Sequence, residues 1–483
     1  MIFRSFLFVC FLLMSLSVFA DKIRVACVGN SITYGAFITD RNMNSYPAQL
    51  QKLLGEGYDV RNFGLSGCTV LEKGNIPFVK SKEYIESLNF NPNLVILKMG
   101  TNDSKAFNWK YSSDFKNDYL SLVKAYASLP SKPRIILLTP LRCFLSDDDI
   151  GINYSVIEKG IIPVIEEIAY DEGLELVNMH NMFGGKWDSG LLPDKIHPSS
   201  AGAGKMAHKI YSYLKVSSCG LRHINKFHFK GMEVTNFNFH GYEGLEFTGN
   251  GLKYLIVKPK FVSKGTPWVL RARFWEHEPQ TDIALLENGF HVAYCDVADM
   301  YGSPDAVKRW NVFYKKMIRL GLSEKVVLEG MSRGGLIVYN WAVRNPKKVA
   351  CIYADAPVMD IKSWPMGEGK SDGSASDTEK MMRAYGFSEK EDALKWENNP
   401  LDRSSVVVKY GIPILHVVGD VDDIVPVAEN TAVFEKKIKG LGGKIKIIHK
   451  PNIGQHPHSL YNPELIVDFI LNSTDFYQKT VDK

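Results

Sequence analysis

The sequence predicts an α/β chain of two domains in tandem, each a largely parallel sheet with helices on its faces. Three observations predict it. The chain has 483 residues, more than one hydrophobic core usually serves. Short apolar runs alternate with helical stretches through both halves. Each half also carries a serine in a glycine-containing turn directly after a strand-like run, at Gly29-Asn30-Ser31 and at Gly330-Met331-Ser332-Arg333-Gly334.

Residues 1–20 hold one early cation, Arg4, then an apolar run over 6–19 and a small residue, Ala20, ahead of Asp21. This pattern predicts a secretory signal peptide cleaved after Ala20, and therefore a secreted or periplasmic protein. The run falls short of the ~20 residues a helical span needs, and no later segment is apolar enough for an integral membrane segment.

The first domain, 21–216, reads as strands over 23–28, 58–63, 94–99, 134–139 and 174–178. Helices are predicted over 46–54, 115–129, 155–170 and 201–216. Strands alternating with helices imply a parallel sheet covered on both faces. The pattern breaks over 217–229, a polar stretch whose His223 and His228 read as linker residues.

The second domain, 230–483, opens with antiparallel strands over 231–239 and 252–259, joined by a glycine-rich stretch. An alternating series follows, with strands over 268–274, 291–296, 326–329, 349–354, 412–418 and 444–450. Segment 367–377, rich in Gly, Ser and Asp, reads as a mobile insertion over the second serine.

The formal net charge is +5, and losing Arg4 with the signal peptide lowers it by one. Such balance leaves no nucleic-acid footprint. The densest basic stretch, 436–446, is broken by Gly440, Gly442 and Gly443 and reads as a solvated face. Cys27, Cys295 and Cys351 fall in apolar strand runs, where cysteine behaves as a small hydrophobe. No Cys/His cluster has the sequence spacing of a zinc site, so no metal or organic cofactor is expected.

Ser31 follows the first strand, at the carboxyl edge where open α/β sheets gather ligands. A serine needs a base within hydrogen-bond reach to become a nucleophile. His197 is the candidate, and Asp194, three residues earlier on the same turn, can fix its tautomer. The loops at Gly64-Leu65-Ser66-Gly67 and Gly100-Thr101-Asn102 end two further strands at the same edge. Gly67 offers a backbone N–H and Asn102 a side-chain amide to an oxyanion, and Ser31 can add its own N–H.

Residues 23–216 resemble the SGNH (GDSL) hydrolase family, all four of whose motifs occur in order. Its Ser, Gly, Asn and His fall on Ser31, Gly67, Asn102 and His197, and its supporting acid on Asp194. The resemblance implies a flavodoxin-like fold and ester hydrolysis. Asn30 departs from the commonest motif, which has Asp there.

In the second half, Ser332 has the strand-turn-helix context of a nucleophile elbow, and this half resembles the α/β-hydrolase family. Its acid commonly stands in a Gly-x-x-Asp-x-x-Val-Pro setting, which points to Asp422, with Asp423 the alternative. Similar enzymes often have a histidine where this chain has Gln455. The base is assigned to His456, with His458 the alternative. The N–H of Arg333 would form half of an oxyanion hole, and a backbone N–H near 271–273 the other half. The Arg333 guanidinium would meet either a substrate anion or a neighbouring carboxylate.

Secreted SGNH domains and their fusions resemble bacterial enzymes that remove acyl groups from polysaccharides. The resemblance implies a secreted serine esterase acting on an acylated carbohydrate at Ser31, with a second ester-cleaving site at Ser332. The alternatives are a peptidase or lipase activity in the second domain, or a second domain that only binds substrate.

Overall fold

The structure is a computed structural model and describes residues 21–144, 151–185, 188–219, 233–249 and 252–474. The predicted signal peptide, 1–20, and most of the predicted linker, 217–229, lie outside the described residues.

The first domain holds strands β1 (Ile23–Gly29), β2 (Tyr58–Gly64), β3 (Leu94–Lys98), β4 (Arg134–Leu138) and β5 (Glu175–Val177), all parallel, in the order β2-β1-β3-β4-β5. Alternate residues of each strand enter opposite cores. Ala26, Val28, Val95, Leu97, Ile135 and Leu137 pack with helices Phe115–Ala127 and Ile162–Asp171. Val25, Cys27, Leu94, Ile96, Ile136 and Leu138 pack with helices Tyr46–Leu54 and Ser200–Cys219. Burial on both faces is why these strands read as continuous apolar runs instead of alternating ones.

Two helices depart from expectation. The last one runs to Cys219, past the predicted end at 216. Ser217 and Ser218, read as breakers, bond back to the carbonyls of Leu214 and Lys215 at 3.1 and 2.8 Å, a geometry that lets serine continue a helix. The helix predicted over 155–170 contains a π turn at Ile157–Ile161, directly before Pro163. Proline has no N–H for the helical ladder, and a local change of winding absorbs the gap.

The second domain adds β6 (Val234–Phe239), β7 (Tyr242–Gly249), β8 (Leu252–Val257), β9 (Trp268–Ala272), β10 (His291–Cys295), β11 (Val326–Met331), β12 (Val349–Asp355), β13 (Ile414–Gly419) and β14 (Lys446–Lys450). They form one sheet, β14-β13-β12-β11-β9-β10-β8-β7-β6. Pairing is antiparallel from β6 through β8 to β10 and parallel elsewhere. The stretch read as a glycine-rich connection is itself β7. Gly244 weakens its apolar signal, yet a Cβ there would lie 2.3 Å from the Phe237 ring on β6, so the close ring contact requires glycine.

Segment 367–377 is fastened to the domain. Ser371 Oγ donates to the Ile424 carbonyl at 2.7 Å, the Lys370 N–H donates to Glu429, and Ser374 caps helix Ala375–Tyr385. The two domains dock through the aromatic pair Phe261–Tyr213, whose ring centroids lie 5.4 Å apart, and through polar contacts. The Tyr242 hydroxyl donates to the Leu176 carbonyl at 3.1 Å, and buried Glu287 accepts from the Asn178 N–H at 2.5 Å and pairs with Lys209 at 3.1 Å.

The second domain also buries a charge cluster. Arg271 on β9, 1% exposed, pairs with Asp282 and, at 3.2 Å, with Glu329 on β11. Burial first, and Asp282 second, push the Glu329 carboxyl from its ordinary 4.5 up to about 8. Between those values the folded chain holds a proton that the unfolded chain has released, so folding stability falls as pH rises across that window and levels off above it. Urea melts between pH 5 and 8 should show this decline, and Glu329→Gln should flatten it; an equal slope in both proteins would refute the assignment.

Candidate active sites

β1 delivers Ser31 to the first turn of helix Ser31–Tyr34, and Asn30 caps that turn by accepting from the Ile32 N–H at 3.2 Å. Asn therefore performs the capping expected of Asp at this position. Ser31 Oγ lies 2.9 Å from His197 Nε2, and His197 Nδ1 lies 2.6 Å from Asp194 Oδ2. The other carboxylate oxygen accepts from the N–H groups of Ile196 and His197 at 3.1 and 3.0 Å. Burial works to raise the Asp194 pKa, but the two amide bonds and the imidazole outweigh it and hold the carboxyl below its ordinary range. Asp194 thus stays ionised, fixes the Nδ1–H tautomer and leaves Nε2 to take the serine proton.

The expected oxyanion donors are held by the neighbouring loops. Gly67 has φ +79°, in the left-handed region that glycine enters without strain. The Asn102 amide spends one N–H on the Cys68 carbonyl at 3.1 Å, leaving the other free. Asn108, not read from the sequence as a site residue, clamps Asn102 by donating to its carbonyl at 2.9 Å and to Asn75 at 3.0 Å. Phe37, 77% exposed, stands edge-on to the His197 ring with centroids 5.0 Å apart. It gives the mouth of this site an apolar wall.

The second serine also sits as expected. Ser332 has φ +50°, and its N–H donates to the Asp355 carbonyl at 2.8 Å. A non-glycine residue in this region is the strain of a nucleophile elbow. The flanking glycines are needed for close approach: a Cβ on Gly330 would lie 2.8 Å from Val338, and one on Gly334 2.8 Å from the Ala272 carbonyl oxygen.

Asp422, rather than exposed Asp423, is the acid that faces Ser332. It is 7% exposed and accepts from the N–H groups of Ile424 and Val425 at 3.0 and 2.8 Å. Burial raises its pKa despite those two bonds.

The expected base is not in the triad. Neither His456 nor His458 is hydrogen-bonded to Ser332 or Asp422 among the described residues. Gln455 occupies that place. With its amide oriented so that each atom meets a complementary partner, Gln455 donates to Asp422, 3.1 Å from Oδ1, and accepts from Ser332 Oγ at 2.9 Å. A carboxamide has no basic lone pair near neutral pH, so it holds the serine without removing its proton. The assignment of His456 as base is therefore corrected: the loop puts Gln455 inward, His456 outward, and turns buried His458 to Asp355, with Nδ1 2.8 Å from Oδ1.

The Arg333 guanidinium meets a carboxylate. It donates to Asp377 at 2.7 Å and to the Tyr301 hydroxyl at 2.8 Å, between Tyr301, Phe274 and Trp364, whose ring centroids lie 5.2 to 5.9 Å from its Cζ. Arg271, near the expected second oxyanion donor, points into the buried cluster. Its guanidinium also donates to the carbonyls of Phe274, at 3.0 Å, and His277. Asp377 had no sequence signal, because it lies in the segment read as low complexity.

Residues 27–205 match the GDSL-like Lipase/Acylhydrolase family, and residues 284–483 match the Prolyl oligopeptidase family. The chain is thus an N-terminal SGNH hydrolase domain fused to a C-terminal domain of the α/β-hydrolase superfamily, two families of serine hydrolases. It is similar to an acetylxylan esterase of Xylanibacter ruminicola, 40% identical over 212 residues, a stretch covering 40% of this chain and 44% of that relative. This chain therefore spans less than half of that relative's length in the match.

Among solved structures it resembles a carbohydrate acetylesterase from Sinorhizobium meliloti, with 18% identity, TM-score 0.34, 40% of this chain and 98% of that one. It also resembles dipeptidyl peptidase 4 of Porphyromonas gingivalis, with 17% identity, TM-score 0.37, 50% of this chain and 35% of that one. A third is the acylaminoacyl peptidase of Pyrococcus horikoshii, with 16% identity, TM-score 0.38, 52% of this chain and 43% of that one. Among the described residues no helix is long and apolar enough to cross a membrane.

Proposed function

We propose that the first domain is an exported carbohydrate esterase that removes small O-acyl groups, acetyl foremost, from a xylan-like polysaccharide, and that the second domain binds the same substrate without cleaving it through a triad. One observation carries this reading. The relay Ser31–His197–Asp194 is hydrogen-bonded end to end, whereas Gln455 interrupts the equivalent relay at Ser332. In the first site Ser31 Oγ attacks the acyl carbonyl as its proton passes to His197 Nε2. The sugar hydroxyl leaves with that proton, and water, activated by the same imidazole, frees the carboxylic acid. Asn102 and the N–H groups of Gly67 and Ser31 face the oxyanion in both halves.

The peptidase alternative for the second domain needs a base beside Ser332, and a glutamine supplies none. The test is acetate release from acetylated xylo-oligosaccharides, with peptide amides and long-chain lipids assayed in parallel. Wild type and Ser332→Ala should release acetate at the same rate and leave peptides and lipids intact. Loss of acetate release in Ser332→Ala, or peptide cleavage by Ser31→Ala, would overturn the division of labour.

A further inference from the structure

The sequence gives no zinc-site spacing, but the fold assembles three histidines from two loops. His277 follows β9, and His456 and His458 follow β14. One ligand nitrogen from each lies within 4.8 Å of the other two. The ring planes are steeply inclined to one another, at 75°, 85° and 89°. Rings inclined in this way can approach one ion from different directions. We propose that His277, His456 and His458 form a binding site for one divalent first-row transition-metal ion of the zinc class, beside the elbow of Ser332. The proposal does not rest on the esterase reading of the first domain.

Three further observations support it. His277 Nε2 is buried and has no hydrogen-bond partner among the described residues, so it is available to a water, a ligand or an ion. His458 donates Nδ1–H to buried Asp355, whose other oxygen is occupied by the Ser459 N–H at 2.8 Å. A carboxylate behind an imidazole is the support that metal-binding histidines characteristically have, since it fixes the tautomer with the Nε2 lone pair free.

The loops are also tethered beforehand. Arg271 holds the carbonyls of Phe274 and His277, and Lys450 Nζ donates to the carbonyls of Pro457 and Ser459 at 2.5 and 3.3 Å.

Electrostatics do not oppose a dication. The cations nearby, Lys450 and Arg271, are countered by Asp355, which lies 3.9 Å from Lys450 Nζ, by Glu278, and by Asp282 on Arg271. A tetrahedral ion with Zn–N of about 2.0–2.1 Å wants ligand nitrogens about 3.3–3.4 Å apart. From the 4.8 Å bound, the widest pair must close by at most about 1.5 Å, and His456 is exposed. Imidazole-only donors suit Zn, Cu, Ni or Fe and not Mg or Ca, and three protein ligands leave an open position for water or substrate.

The test is titration of untagged, chelator-treated mature protein with Zn²⁺ by calorimetry, and with Co²⁺ by visible absorption. The expected result is saturable binding of one ion per chain at micromolar concentration or below, with magnesium giving no heat. His456→Ala and His277→Ala should each weaken zinc at least 100-fold, whereas His449→Ala, which removes an exposed histidine paired with Asp420, should not. His456 is exposed, so its variant should keep the wild-type melting curve and circular dichroism. Absence of saturable zinc binding below 1 mM in wild type, or equal affinity in the folded His456→Ala protein, would overturn the proposal.

Discussion

Ser31→Ala and His197→Ala should each lower kcat/KM for acetyl esters by at least about 10⁴-fold, or about 5.5 kcal/mol of transition-state stabilisation. The double variant should be no worse than either single one. Residues that act as one relay are not additive, because once Ser31 Oγ is gone the imidazole has no proton to move. The Ser31–His197 bond of 2.9 Å and the His197–Asp194 bond of 2.6 Å make these residues such a unit. A small residual rate should survive on the oxyanion donors of Gly67 and Asn102 alone. Steady-state kinetics on a chromogenic acetate ester with all three proteins decides it. Rates that multiply in the double variant, or a loss below 100-fold in either single one, would mean that the relay is not the working unit.

This site was legible because its chemistry is local. Asp194 and His197 share one turn, and Ser31, Gly67 and Asn102 each end a strand of one parallel sheet, so placing the strands places the residues. Burial on both faces wrote those strands as unbroken apolar runs. The second domain was less legible wherever function depends on one residue of register or on distant pairing. β7 was hidden by Gly244, whose missing side chain makes room for Phe237 on the adjoining strand. The loop after β14 offers Gln455, His456 and His458 within four residues, and composition favours a histidine as the triad member. Backbone direction decides otherwise: Gln455 is 5% exposed and faces Ser332, while His458 is claimed by Asp355 from β12. Asp377 on Arg333 and His277 beside His456 join segments far apart in sequence, and no spacing rule reaches them.

If Gln455 is what silences the second site, Gln455→His should wake it. The elbow is already strained at Ser332, with φ +50°, and Asp422 is buried with one oxygen fixed by two N–H groups and the carboxylate turned to position 455. An imidazole at that position would replace an amide that accepts from Ser332 Oγ at 2.9 Å by a base able to take its proton. General-base catalysis contributes about 10²–10⁴-fold, so in a Ser31→Ala background ester cleavage should rise by that factor over the parent. A serine-directed fluorophosphonate should label Gln455→His at Ser332, whereas in the protein with Gln455 it should label Ser31 alone, because the unassisted hydroxyl is a poor nucleophile. Peptide mapping of the labelled chain reads the two positions separately. Equal labelling of Ser332 with glutamine or histidine at 455 would show that another group already activates it, and the nearest histidines, His456 and His458, would then have to be reconsidered as its base.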